Sequence, residues 1–219
     1  MRGRNVTHGN IDATQLVAGS VTDFAVTWDY RCPFARNAHE HVLAGLDAGA
    51  DWAVTFVPFS LGQVHVAEDQ APIWERPDDD SGLLALQVGT WVRDQAPDRF
   101  RAVHGALFRL RHDEGGDLRD RDRLAKVLID HDLDPDEAFA AVDDGSLLAV
   151  VRAEHERVVA SHSVWGVPTF IRGEAAAFVR LMDRPAGDGA RATETIGRVV
   201  ALFDEVPTLN EYKFTTVPY

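Results

Sequence analysis

The stretch TDFAVTWDYRCPFARNAHEHVLAG, residues 22–45, decides the fold of this chain. Phe24 and Val26 alternate with smaller or polar residues, which is typical of a short buried strand. Pro33 then suits the first position of a helix, because an N–H at that position would have no partner within the helix. The sequence therefore predicts a strand that leads directly into a helix, with Cys32 at the junction.

Cys32 is the only cysteine of the chain, and its predicted place at a helix N-terminus affects the ionisation of its thiol. Unpaired N–H groups and the positive end of the helix dipole favour a thiolate over a thiol. We therefore expect Cys32 to have a pKa below that of a free cysteine and to act as a nucleophile. The alternative is a buried, unreactive cysteine, the commonest state of a lone cysteine in a cytosolic protein.

The composition disfavours several classes of protein. The 219 residues are 45% hydrophobic, enough for a packed core, and carry a formal net charge of −13. Such a charge disfavours a nucleic acid or an anionic membrane as partner, and no basic patch interrupts it. We find no transmembrane run and no signal-peptide core, so we expect a cytoplasmic protein. Motifs such as CxxC pairs or HExxH are missing, so we expect no bound metal.

The order of predicted elements indicates an α/β protein with a large helical insertion. Residues 52–59 are nearly all apolar, as in a strand covered on both faces, and complete a parallel βαβ unit. Between residues 61 and 162, apolar residues recur at the spacing of amphipathic helices. Strand character returns at Thr169, and a hairpin partner and a terminal helix follow. The predicted division is an N-terminal extension (1–20), an α/β domain (21–60 with 163–219) and an inserted helical domain (61–162).

Two short motifs in this order resemble the DsbA family of the thioredoxin-like superfamily. They are Cys-Pro at the first strand–helix junction and Gly-Val-Pro-Thr at residues 166–169, beyond the helical insertion. More narrowly, the chain resembles the branch that includes FrnE-like proteins, 2-hydroxychromene-2-carboxylate isomerases and kappa-class glutathione transferases. The resemblance implies an α/β, thioredoxin-like fold with a central mixed sheet, βαβ then ββα, and a large all-helical insertion.

The resemblance also implies the site. Cys32 matches the family's nucleophile, and Val167 and Pro168 match the cis-proline loop, which presents backbone polar groups to a thiol substrate. The flanking residues expected to bind the substrate or thiol are Pro33, Phe34, Ala35 and Thr169. Further candidates, from their positions near these motifs, are Tyr30, Arg31, His162 and Trp165.

One position departs from the family pattern. Ala35 stands where the family has its second, resolving cysteine, so the protein cannot close an internal disulfide and dithiol oxidase activity is disfavoured. We predict a single-thiol oxidoreductase in which Cys32 attacks a small disulfide. No cofactor is expected to be tightly bound, and an external thiol cosubstrate, glutathione or mycothiol, resolves the mixed disulfide.

Two alternatives remain open for the function. The first is a glutathione- or mycothiol-dependent transferase or isomerase of a small aromatic substrate, in which Cys32 hydrogen-bonds a bound thiol. The second is a redox-inactive thioredoxin-fold binding protein. Because the related isomerases and transferases form dimers, the resemblance also implies a homodimer.

Overall fold

The computed structural model describes residues 21–217 and contains, within them, a four-stranded mixed sheet. Strand β1 (Thr22–Trp28) pairs in parallel with β2 (Trp52–Pro58). Strand β3 (Thr169–Arg172) is antiparallel to β1, and β4 (Ala175–Phe178) is antiparallel to β3. The strand order β2-β1-β3-β4 confirms the prediction of a parallel βαβ unit followed by an antiparallel hairpin.

The connection between β2 and β3 is helical, which confirms a large helical insertion. No helix among residues 21–217 is long and apolar enough to cross a membrane. Residues 1–20, predicted as an N-terminal extension, lie outside the described residues. The helices are α1 (Pro33–Asp47), α2 (Leu61–Val64), α3 (Leu83–Gln95), α4 (Pro97–His112), α5 (Arg121–Ile129), α6 (Pro135–Asp143), α7 (Ser146–His162) and α8 (Gly189–Glu205), with 3₁₀ segments at Ile73–Glu75 and Pro77–Asp79.

Short polar side chains define where several helices begin. The carboxylates of Asp120, Asp134 and Asp188 accept hydrogen bonds from backbone N–H groups in the first turns of α5, α6 and α8. Proline stands at the start of α1, α4 and α6, where a backbone donor is not needed. Helix α1 is different, because the capping side chain is the thiol of Cys32.

The insertion covers the carboxyl ends of β1 and β2. The first four residues of β2 are partly or fully exposed, whereas its last three residues are buried. Helices α3 and α7 lie against this end, where Arg93 of α3 donates to the Phe56 carbonyl at 2.8 Å and to Glu154 of α7 at 2.9 Å. Helix α8 instead packs on α1. The residues that follow β1, including Cys32, therefore lie between the sheet and the insertion.

Candidate functional site

Cys32 occupies the N-cap of α1 and points its sulfur at the loop before β3. Its backbone is extended (φ −86°, ψ 118°), so the side chain folds back over the first turn and Sγ accepts from the Ala35 N–H at 3.4 Å. The thiol donates to the Val167 carbonyl oxygen at 3.3 Å. Cys32 is 8% exposed, so most of the residue is buried. The structure thus brings together two segments that lie 135 positions apart in the chain.

Residues 166–168, which we call the prolyl loop, face the thiol and are held by hydrogen bonds. The Val167–Pro168 peptide bond is cis. Thr169 N–H donates to the Thr27 hydroxyl at 2.9 Å, and the Thr169 hydroxyl donates to the Gly166 carbonyl at 2.8 Å. The carbonyl of Pro168 accepts from the backbone of Val179, just beyond β4, at 3.1 Å. These bonds anchor both sides of the prolyl residue and keep the Val167 carbonyl against the sulfur.

The pKa of Cys32 is raised above its ordinary value, so the prediction of a lowered pKa is wrong. Burial is the largest cause, because desolvation disfavours the thiolate. The backbone N–H groups of Ala35 and Phe34 act in the opposite direction, as the helix N-terminus predicts, but do not compensate. Asp29 raises the pKa further and Arg180 lowers it. Cys32 is therefore a thiol at neutral pH.

Arg31 is directed away from the thiol and towards two buried carboxylates. Its guanidinium contacts Asp29 at 2.6 Å and Asp80 at 2.7 Å. Asp29 also accepts from the backbone N–H groups of Arg31 and Leu61, both at 2.9 Å. Gly82 leaves the room that the arginine needs, because a Cβ there would lie 2.5 Å from its Nε. Through these contacts Arg31 joins residues 29–32, which we call the Cys32 loop, to the start of the insertion.

Tyr30 is fully buried, so it has no surface that a ligand could reach. Its hydroxyl hydrogen-bonds His104 Nδ1 at 2.8 Å, and its carbonyl accepts from His112 Nε2 at 2.9 Å. Both histidines belong to α4. The expectation that Tyr30 contacts ligand is therefore replaced by an internal contact with the insertion.

His162 lies at the wrong end of β3 for a role beside the thiol. Its Nε2 hydrogen-bonds the carbonyl of Gly173, in the turn after β3, at 3.1 Å. Strand β3 separates this turn from the Pro168 loop by roughly 13 Å, since each strand residue advances about 3.3 Å. His162 is close to Pro168 in sequence but not in space. Residues 163–168 run from the end of α7, beside Gly173, to the opposite end of β3, where the strand begins.

An aromatic and cationic surface adjoins the thiol. Trp165 is 63% exposed, and its ring packs on Phe178 with centroids 4.5 Å apart. The Arg180 guanidinium lies over the rings of Phe34 and Phe178, at 5.2 and 5.7 Å. We call these four residues the aromatic surface.

Sequence reasoning placed Phe34 and Trp165 in the site and missed Phe178 and Arg180. The hairpin pairs Phe178 opposite Thr169, which carries the end of β4 to the prolyl loop. The predicted hairpin was the signal that could have located these two residues, had its register been worked out. Among the described residues, no group of three or more His, Cys, Asp or Glu side chains is arranged to hold a metal ion.

A lone thiol at a helix N-terminus, facing a cis-prolyl loop that leads into an inner strand of a mixed sheet, defines a protein of the thioredoxin-fold class. Residues 26–194 match the family of DSBA-like thioredoxin domains. Because this match covers most of the chain, the protein belongs to that family, as the sequence motifs indicated. Among its relatives, uncharacterized protein Rv2286c of Mycobacterium tuberculosis is 30% identical over 167 residues, 74% of this chain and 70% of that protein.

Solved structures support the same fold. A 2-hydroxychromene-2-carboxylate isomerase superposes with a TM-score of 0.59 at 12% identity, covering 86% of this chain and 100% of that one. The thiol-disulfide exchange protein alpha-DsbA2 of Wolbachia pipientis gives 0.57 at 15% identity, covering 84% and 82%. Oxidised BdbD of Bacillus subtilis gives 0.54 at 15% identity, covering 82% and 87%.

Proposed function

We propose that this protein is a single-thiol oxidoreductase that exchanges small disulfides with an external low-molecular-weight thiol. The observation that carries the proposal is the position of Cys32 Sγ, 3.3 Å from the Val167 carbonyl, in a chain that has no second cysteine. The backbone beside the sulfur supplies polar groups for a substrate that lies alongside. Ala35 in place of a resolving thiol requires the second thiol to come from solution.

The proposed reaction has two exchange steps. The Cys32 thiolate attacks one sulfur of a disulfide, a new Sγ–S bond forms, the S–S bond breaks, and the leaving thiolate takes a proton. An external thiolate then attacks the substrate sulfur of the mixed disulfide and releases Cys32. After these two steps the substrate sulfur is disulfide-bonded to the external thiol. A second external thiol then attacks this disulfide, which releases the reduced substrate and leaves the disulfide of the external thiol. Because the pKa of Cys32 is raised, the exchange rate increases with pH through the neutral range.

The aromatic surface supports a thiol cosubstrate that carries a carboxylate. In a chain with a formal charge of −13, Arg180 is a cation close enough to lower the pKa of Cys32. A guanidinium can stack on rings through its face and bind a carboxylate through its edge. Glutathione has two carboxylates, whereas mycothiol has none, so this feature favours glutathione of the two thiols considered.

A second candidate is a thiol-dependent isomerase or transferase of a small aromatic substrate. The observation that favours it is the raised pKa of Cys32, which keeps the S–H proton available as a hydrogen-bond donor to a bound thiolate. The exposed ring of Trp165 offers a platform for an aromatic substrate. In this reaction Cys32 forms no covalent bond, so a hydroxyl in its place can serve.

The test compares the full chain with its Cys32→Ser and Cys32→Ala variants. We expect the wild type to accelerate reduction of a small disulfide by glutathione and to form a mixed disulfide at Cys32 that is visible by mass spectrometry. Each variant should lack both properties. An alkylation rate that inflects above about 8.5, the pKa of an ordinary cysteine, is expected from the burial of the thiol. The proposal fails if Cys32→Ser keeps the activity, a result that supports the second candidate, or if no mixed disulfide forms.

A further inference from the structure

A chain of three hydrogen bonds runs through the protein interior beneath the thiol. Tyr30 Oη lies 2.8 Å from His104 Nδ1, His104 Nε2 lies 2.9 Å from His39 Nδ1, and His39 Nε2 lies 3.0 Å from the Thr27 carbonyl oxygen. All four residues are fully buried. We call this arrangement the Tyr30–Thr27 chain.

Only one placement of the protons satisfies every bond. The Thr27 carbonyl can only accept, so His39 Nε2 carries a proton. Burial lowers the pKa of His39 to about 4 and lowers that of His104 well below its ordinary value, so both rings are neutral at pH 7. His39 Nδ1 therefore accepts from His104 Nε2–H, and His104 Nδ1 accepts from the Tyr30 hydroxyl. Every member of the chain is paired, and both imidazoles are Nε2–H tautomers.

Both ends of the chain reach the candidate site. Tyr30 lies in the Cys32 loop, two residues before Cys32, and its carbonyl accepts a hydrogen bond from His112. At the far end, the hydroxyl of Thr27 accepts from Thr169 N–H, immediately after the prolyl loop. His104 belongs to α4, and Thr27 bonds His39 through its carbonyl and Thr169 through its hydroxyl. These hydrogen bonds, with Thr27 as the link between them, connect the Cys32 loop, the insertion and the prolyl loop.

The surrounding packing is shaped to admit this chain. Gly89 of α3 leaves space for the Tyr30 hydroxyl, because a Cβ at position 89 would lie 2.2 Å from it. Aromatic rings pack around His104, with centroids at 4.7 to 5.6 Å; these are Trp28, Phe56, Phe100 and Phe108. Two imidazoles in such an apolar setting are stabilised only while all of their hydrogen bonds are made.

We propose that Tyr30, His104 and His39 are positioning residues that hold the Cys32 loop against the prolyl loop and so maintain the hydrogen bond from the thiol to Val167. This inference rests on the proposed function, because it explains how the reacting sulfur is placed. The bond from S–H to the carbonyl stabilises the thiol over the thiolate. Loosening the loop therefore moves the pKa of Cys32 down, towards the value of a solvated thiol.

Other charged groups near these residues do not replace the chain. Asp29 and Arg180 are the charged groups that act on Cys32, and Asp29 and Arg93 act on Tyr30. None of them lies within the Tyr30–Thr27 chain, so a substitution in the chain leaves their charges in place. A change in the pKa of Cys32 after such a substitution then reports on loop position and water access.

The test uses three conservative substitutions in the full chain, with the pH dependence of Cys32 alkylation as the readout. Tyr30→Phe removes only the hydroxyl, and H104Q keeps a donor for His39 but removes the acceptor for Tyr30. H104N keeps an acceptor at the Nδ1 position and loses the bond to His39. The matched control is H131Q, since the imidazole of His131 hydrogen-bonds the Val127 carbonyl, four residues before it and away from the Tyr30–Thr27 chain.

We expect Tyr30→Phe and H104Q to lower the alkylation inflection by about 0.5 to 1 pH unit, the size of one lost hydrogen bond. H104N should give a smaller shift and H131Q none. If Tyr30→Phe and H104Q lower the melting temperature but leave the inflection unchanged, the chain is only core packing and the proposal is overturned.

A second measurement needs no variant. Imidazole ¹⁵N NMR of the wild type should show two buried histidines as neutral Nε2–H tautomers at pH 7. A different tautomer or a cationic ring at either position refutes the chain. Neither measurement requires turnover, so an inactive protein with a shifted inflection contradicts the proposed function alone, and an active one with an unshifted inflection contradicts this inference alone.

Discussion

Replacing Arg31 with methionine should destabilise the protein far more than the same replacement of a surface arginine. The side chain makes three hydrogen bonds to carboxylates, at 3.0 and 2.6 Å to Asp29 and at 2.7 Å to Asp80. Those two carboxylate side chains are 0% and 2% exposed, so the substitution leaves two buried charges without a cation.

Breaking a buried ion pair from one side typically costs about 3 to 5 kcal/mol. For a domain of this size, roughly 2 to 4 °C per kcal/mol gives a fall in melting temperature of about 6 to 20 °C. Loss of the cation beside Asp29 should also raise the pKa of Cys32, because Asp29 already acts in that direction.

Thermal unfolding by circular dichroism measures the first effect, and Arg76→Met is the matched control. Arg76 pairs with Asp79 at 3.1 Å on the surface, where such a pair contributes less than about 1 kcal/mol. Adding Asp80→Asn to Arg31→Met should recover part of the lost stability, because it removes one unpaired buried charge. Equal melting temperatures for the Arg31 and Arg76 variants, or further destabilisation by Asp80→Asn, would refute the reasoning.

Two further predictions concern the interior. Gly89→Ala places a Cβ 2.2 Å from the Tyr30 hydroxyl and should destabilise the protein by about 1 to 3 kcal/mol through overpacking. The control is Gly197→Ala, whose Cβ would have nothing within 4 Å and which should be neutral or stabilising. Urea unfolding measures both effects. Stability should also fall as pH drops from about 6.5 towards 4, because the unfolded chain binds a proton at His39 before the folded protein does. That contribution is about 3 kcal/mol, and His39→Gln should flatten this part of the urea-unfolding pH profile; an unchanged slope contradicts the assignment.

Local sequence determined the order of elements and the place of the thiol. Alternating apolar residues before Cys32 and proline after it were enough to predict the strand, the helix start and the N-cap position, because these features depend on neighbours within a few residues. Helical periodicity predicted the insertion for the same reason, and the resemblance carried by Cys-Pro and Val167–Pro168 implied the thioredoxin-like fold. The structure and the family match agree with those predictions.

Only the tertiary structure decided the chemistry of the site. Arg31 and Tyr30 flank the thiol in sequence, yet one turns to buried carboxylates and the other to His104 of the insertion. Arg180 enters the site through the register of a hairpin nearly 150 positions beyond Cys32. The pKa of that thiol is raised because packing from distant segments removes water from it, and this desolvation outweighs the helix N-terminus that the sequence shows. Burial is a sum over residues far apart in the chain, so no local pattern determines it.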